Sequence, residues 1–129
     1  MIFEELYEFK RDLKKLLKKF RSLNDDLEVV KKVLKVEPKE RPPFSFRIEG
    51  LGIEACVIKV RKIACKSLKG KGVNSGLRLI YAHFEQEGRI ILVELYYKGD
   101  QETEDRSRIL RNFGEKGSVE HGKDKKNCT

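Results

Sequence analysis

The sequence predicts an α+β fold: two N-terminal helices packed on a twisted, mostly antiparallel sheet of about four strands, closed by a short C-terminal helix. Two changes of period and one cluster of prolines carry that expectation. Up to Glu37 the apolar residues recur at helical spacing, and from Ile53 onward they alternate. Near the C-terminus, Ile109, Leu110 and Phe113 return to helical spacing. All three prolines, Pro38, Pro42 and Pro43, fall between the two regimes, so "EPKERPPF" is a linker and no domain boundary is needed. With 129 residues and 15.0 kDa the chain suits a single core. Residues 1–113 are expected to form one domain.

The elements follow in order. Ile2 to Tyr7 is a short start of extended character. Phe9, Leu13, Leu16, Leu17 and Phe20 then mark one face of a helix whose other face carries Lys10, Arg11, Lys14, Lys15, Lys18 and Lys19. That basic face reads as solvated surface. In "SLNDD", Ser22 or Asn24 is the expected cap and Asp25 and Asp26 complement the helix dipole. The second helix turns Leu27, Val30, Val33 and Leu34 inward and stops near Glu37.

Beyond the linker, "FSFRI" alternates Phe44, Phe46 and Ile48 until Gly50 and Gly52 interrupt it. Three longer strands follow, and alternation assigns their faces. Cys56, Ile58 and Val60 oppose Val57, Lys59 and Arg61; Leu77, Leu79 and Tyr81 oppose Arg78, Ile80 and Ala82. In the third strand Ile91, Val93, Leu95 and Tyr97 oppose Ile90, Leu92, Glu94, Tyr96 and Lys98. "EQEGR" is a tight hairpin whose Gly88 suits a positive φ, and "SLKGKGVNSG" is a looser connection. The last helix is expected from Thr103 as N-cap. Residues 114–129 contain one aliphatic side chain and read as a disordered polar tail.

Charge narrows the function. The net charge is +8, which favours a polyanionic partner because neutralising phosphates releases condensed counterions. No acid occurs between Glu54 and Glu85, whereas Lys59, Arg61, Lys62, Lys66, Lys69, Lys71 and Arg78 all lie there. No basic leader or apolar run of ~18 residues is present, so neither export nor a membrane is expected, and the location expected is cytoplasmic. Three cysteines without a CxxC pair, and two histidines, give little support to a disulfide framework or a metal site.

The glycines of "GKGVNSG" match neither the Walker order, which ends in GK[ST] before a helix, nor the dinucleotide spacing. No cofactor is expected. His83 alternates onto the side of Leu79 and Tyr81, and Cys56 lies on an apolar side, so neither reads as catalytic. Arg78 is the anomaly: an arginine inside a strand that otherwise heads for a core. It either faces an anion or pairs with Glu94 on the neighbouring strand.

The runs "VIKVRKIACKSLKGKGVNSGLRLIYAHF" and "RIILVELYYKGDQETED" resemble toxins of the RelE/ParE superfamily from type II toxin-antitoxin systems, over residues 1–113. The resemblance rests on the basic strand with Lys59, Arg61 and Lys62, on "GLRLIY", and on "ELYYKGD". It implies a metal-independent mRNA endonuclease that acts on the translating ribosome and is restrained by a cognate antitoxin. It also implies a catalytic set of Lys59, Arg61, Arg78, Lys98 and Tyr96. Lys62, Lys66, Lys69, Lys71 and Tyr97 would contact the RNA. The same superfamily includes ParE-like inhibitors of DNA gyrase, and a non-catalytic RNA-binding module would use the same basic strand as an electrostatic footprint.

Overall fold

The computed structural model describes residues 1–114. The elements are β1 (Ile2–Glu5), α1 (Tyr7–Leu17), α2 (Leu23–Val36), β2 (Ser45–Arg47), β3 (Cys56–Val60), β4 (Leu77–Phe84), β5 (Arg89–Tyr97) and α3 (Arg106–Phe113). The expected tail lies outside the described residues apart from Gly114. No described helix is long and apolar enough to cross a membrane.

The strands form one sheet in the order β1-β5-β4-β3-β2. Every neighbouring pair is antiparallel except β1 with β5. The fifth strand is the extended start of the chain, Ile2 to Glu5, which pairs with Arg89 to Leu92. Its parallel sense follows from connectivity, since two helices and three strands separate it from its partner.

Helices α1 and α2 cover one face of the sheet. Phe9, Leu23 and Leu34 are fully buried there against Ile58, Leu79 and Tyr81. Helix α3 covers part of the other face, where Ile109 meets Val57, Ile80, Ala82 and Val93. Alternation in β3 and β4 therefore runs as the sequence indicates, with Lys59 and Arg78 on the α3 side.

β5 departs from the expected alternation. Ile80 pairs with Glu94 but Tyr81 pairs with Leu92, so Val93 is an extra residue and the strand is bulged. Ile91 and Val93 therefore pack on the α3 side while Leu95 and Tyr97 pack on the helix-hairpin side. Residues from other elements hold the bulge. Beyond Leu92, β1 no longer covers the strand; the Leu95 amide donates to the Asp12 carboxylate (3.0 Å), and Arg108 donates to the Val93 carbonyl (2.9 Å). Asp12 and Arg108 are themselves paired at 2.6 Å.

Two helix starts also differ from expectation. Ser22 occupies the cap position of α2, but its hydroxyl donates to Asp26 (2.6 Å) and accepts from the Ser67 amide (2.9 Å), tying the helix to the loop after β3. α3 begins at Arg106, capped by Asp105, whose side chain accepts from the Arg108 amide at 3.1 Å. Thr103 is too early because the following Glu104 is drawn down onto the sheet. The β4–β5 hairpin turns through one 3-10 turn, with Gly88 left-handed at φ 59°.

Candidate nucleic-acid interface

α3 is only eight residues long, and nearest the C-terminal end of β5 its sheet face is covered instead by the segment before it, where Gln101, Glu104 and Asp105 bond Glu94 and Lys59. Four of the candidate side chains gather there. Arg78 sits opposite Tyr96 in the β4–β5 ladder; one rung further in, Lys59, Ile80 and Glu94 line up across β3, β4 and β5. Arg61 follows β3 directly, and its guanidinium lies 5.5 Å from the Phe46 ring centre, a cation–π contact that holds it beside β2.

Arg78 donates to two backbone carbonyls, Arg61 at 3.1 Å and Leu77 at 3.3 Å, and makes no ion pair among the described residues. The alternative partner, Glu94, is occupied elsewhere: one oxygen accepts from Gln101 (2.7 Å) and the other from the Asp105 amide (2.8 Å). Partial burial lowers the Arg78 pKa, Arg61 lowers it further, and Tyr96 opposes both. An arginine remains charged at neutral pH regardless, so the site holds a half-buried cation with nothing to neutralise it.

Tyr96 lies in the α3-side core, and its hydroxyl has no hydrogen-bond partner among the described residues. Burial first, then Glu104 and Glu94, raise its pKa to about 12 despite Arg78 and Arg61. At neutral pH it is a phenol, able to donate a proton and unable to act as a base.

Lys59 is the least free of the four. Its ammonium donates to the buried carboxylate of Glu104 at 2.6 Å, which also accepts from Thr103 and lies 3.4 Å from the Arg106 Nε. Burial pushes the Glu104 pKa up, but these contacts, Lys59 foremost, hold it below its ordinary value. The pair pins the segment between β5 and α3 onto the sheet. Sequence reasoning missed Glu104 because "ETED" looks like a run of helix-start acids; nothing local marks which one turns inward.

The remaining candidates fall around this centre or away from it. Lys98 is exposed just past β5, where its amide donates to Gly76 (2.8 Å). Lys62 bonds Asn74 through its ammonium (3.0 Å), and Lys66, Lys69 and Lys71 are exposed in the loop after β3. Tyr97 is on the opposite face, edge-on to Phe20 at 5.0 Å and beneath Lys19 at 4.7 Å. Gly99 packs so tightly on that ring that a Cβ there would come 2.5 Å from Cε2. The structure thus unites Lys59, Arg61, Arg78 and Tyr96, and it separates Tyr97 from them.

No protein-family model matches the chain, and no curated protein matches it. Among solved structures it is similar to one described as the crystal structure of metal-bound toxin from Helicobacter pylori, at 22% identity and a TM-score of 0.54. The likeness covers 78% of this chain and 98% of that one. The shared property is the fold. Among the described residues no group of three or more His, Cys, Asp or Glu side chains could hold a metal ion.

Proposed function

We propose that the protein is the toxin of a type II toxin-antitoxin system and an mRNA endonuclease that acts on the translating ribosome, as RelE/ParE-superfamily toxins of the ribonuclease branch do. The observation that carries the reading is the unneutralised Arg78 guanidinium, oriented by the Arg61 carbonyl and set opposite the protonated Tyr96. In the reaction a ribose 2'-oxygen attacks the adjacent phosphorus as its proton passes to solvent water, the bond to the 5'-oxygen breaks, and a cyclic phosphate remains. Arg61 and Arg78 offset the negative charge that grows on the phosphorane, and Tyr96 protonates the departing 5'-oxygen and then regains a proton from solvent. Lys98 and the lysines after β3 supply the surrounding positive field for the RNA backbone. The toxin fold of the Helicobacter pylori neighbour supports an antitoxin partner that masks this face.

Expression of the chain alone in a bacterial host should arrest growth and cut translated mRNA at discrete positions, and a cognate antitoxin should relieve both. Purified protein stripped of metal by EDTA and then dialysed should cleave on programmed ribosomes as well as untreated protein does, since the groups assigned are all side chains. Loss of DNA supercoiling with intact transcripts would move the protein to the gyrase-inhibitor branch. RNA binding without any cut would leave a non-catalytic module.

A further inference from the structure

Away from this site, α1 carries a second concentration of positive charge whose burden the fold does not relieve. Lys10, Arg11, Lys14, Lys15 and Lys18 stand at i, i+3 and i+4 intervals, an arrangement that destabilises a helix through repulsion between neighbours. Lys10 and Arg11 also lie in the N-terminal half, where the dipole disfavours cations. The two acids of α1 that could compensate are engaged by another helix. Glu8 accepts from Arg111 (2.6 Å) and Asp12 from Arg108 (2.6 Å), both on α3. Among the described residues none of Lys10, Lys14, Lys15 or Lys18 has an acidic partner, and the guanidinium of Arg11 contacts only the Tyr7 ring, at 5.9 Å.

The surface is also shaped. Tyr7, Lys10, Arg11, Lys14, Lys15 and Lys18 line an open groove of about 640 Å³, completed by Arg108 and by Glu8 and Asp12, whose carboxylates are held by arginines of α3. From Tyr7 to Lys18 the helix rises roughly 17 Å at ~1.5 Å per residue, the length of about five base steps at ~3.4 Å each. Tyr7 is the single large apolar side chain exposed in it, too little for insertion into a bilayer or for the apolar centre of a stable protein interface. Past Lys18 the positive stripe continues to Lys19, which reaches Tyr97 and Asp100 at the end of β5.

We propose that the α1 groove is a second nucleic-acid surface, which grips the phosphate backbone of a folded RNA segment through Lys10, Arg11, Lys14, Lys15 and Lys18 and is separate from the Arg61–Arg78–Tyr96 centre. The surface extends beyond the cleavage reading, and its readout is binding, so it stands or falls independently of any cut.

The test measures binding of a 20-base-pair RNA duplex as a function of salt, for the full chain and for a variant with Lys10, Lys14, Lys15 and Lys18 all changed to Gln. Each duplex phosphate contact contributes about 0.9 to the slope of log affinity against log salt, so the variant's slope should be shallower by about 3.6 and its affinity lower tenfold or more. Lys10→Gln/Lys14→Gln and Lys15→Gln/Lys18→Gln, as separate doubles, should each give about half the change; they serve if the fourfold variant fails to fold. Adding the four α1 changes to Arg61→Gln/Arg78→Gln should lower the slope by the same amount as adding them to the wild type. An unchanged slope in folded variants overturns the proposal. So does a variant that binds the duplex normally but loses attachment to phosphatidylserine vesicles.

Discussion

Tyr96 and Tyr97 are consecutive in β5 and chemically identical, yet the fold gives them different work. Tyr97 faces the α1–α2 hairpin, packs on Phe20 and lies beneath Lys19. Tyr96 faces the α3 side, opposite Arg78, with its hydroxyl unbonded. The two faces differ in the same sense throughout. The hairpin face is closed end to end by two helices, whereas the α3 face is closed at one end and cationic at the other. A sheet with one face fully packed can leave charge uncompensated on its second face because the first supplies most of the apolar burial.

That division predicts opposite outcomes for mutations on the two faces. The largest effect should come from the hairpin face. Phe9 is fully buried beneath the sheet, and Phe9→Ala should cost ~3–5 kcal/mol through lost burial and a cavity, read as a lower denaturant midpoint. A loss under ~1 kcal/mol would mean that this face is not the main support of the fold.

Arg78→Ala should do the reverse. It removes two hydrogen bonds to carbonyls and no ion pair, so stability should change by ~1 kcal/mol or less. Cleavage on programmed ribosomes should fall by a factor on the order of 10² or more, the usual cost of one preorganised donor to a transition state. Arg78→Lys should restore part of it, because an ammonium cannot form two parallel bonds to a phosphate. An Ala variant as active as the wild type removes Arg78 from the site.

The smallest effect concerns His83, buried on the hairpin face. His83 pairs with Cys56 and Ile90 across the sheet, and its Nδ1 has no hydrogen-bond partner. Burial lowers its pKa below the ordinary 6.5; Glu85 opposes the shift and Lys39 adds to it. The unfolded chain therefore takes up the His83 proton at a higher pH than the folded one does. Stability is full above pH ~6.5 and declines as pH falls below it. Urea titrations from pH 7.5 to 5 should show that decline, and His83→Gln should flatten it. A wild-type midpoint that does not move over this range would show that the imidazole is not held neutral.

Helices α1 and α2, the alternating faces of β3 and β4, the Gly88 hairpin and the solitary Arg78 were all legible in the sequence. Each is a local matter of period or turn chemistry: side-chain direction follows from spacing of 3.6 or 2 without reference to anything distant. Alternation put Lys59 and Arg61 on one face of their strand; Arg78 was added by the family resemblance, and the β3–β4 register puts it on the same side as Lys59.

The tertiary structure decided the rest, and in each case by a contact over long sequence distance. The phase of β5 changes at Val93 because Asp12 and Arg108, 96 positions apart, supply partners for its displaced backbone groups. Lys59 is quenched by a glutamate 45 residues away, and that same pull moves the start of α3 from Thr103 to Arg106. The N-terminal extended segment becomes a fifth strand only because β5 offers it an edge. Periodicity reports which way a side chain points; it carries no record of which distant group will meet it, and a one-residue slip in a strand is invisible until that partner is in place.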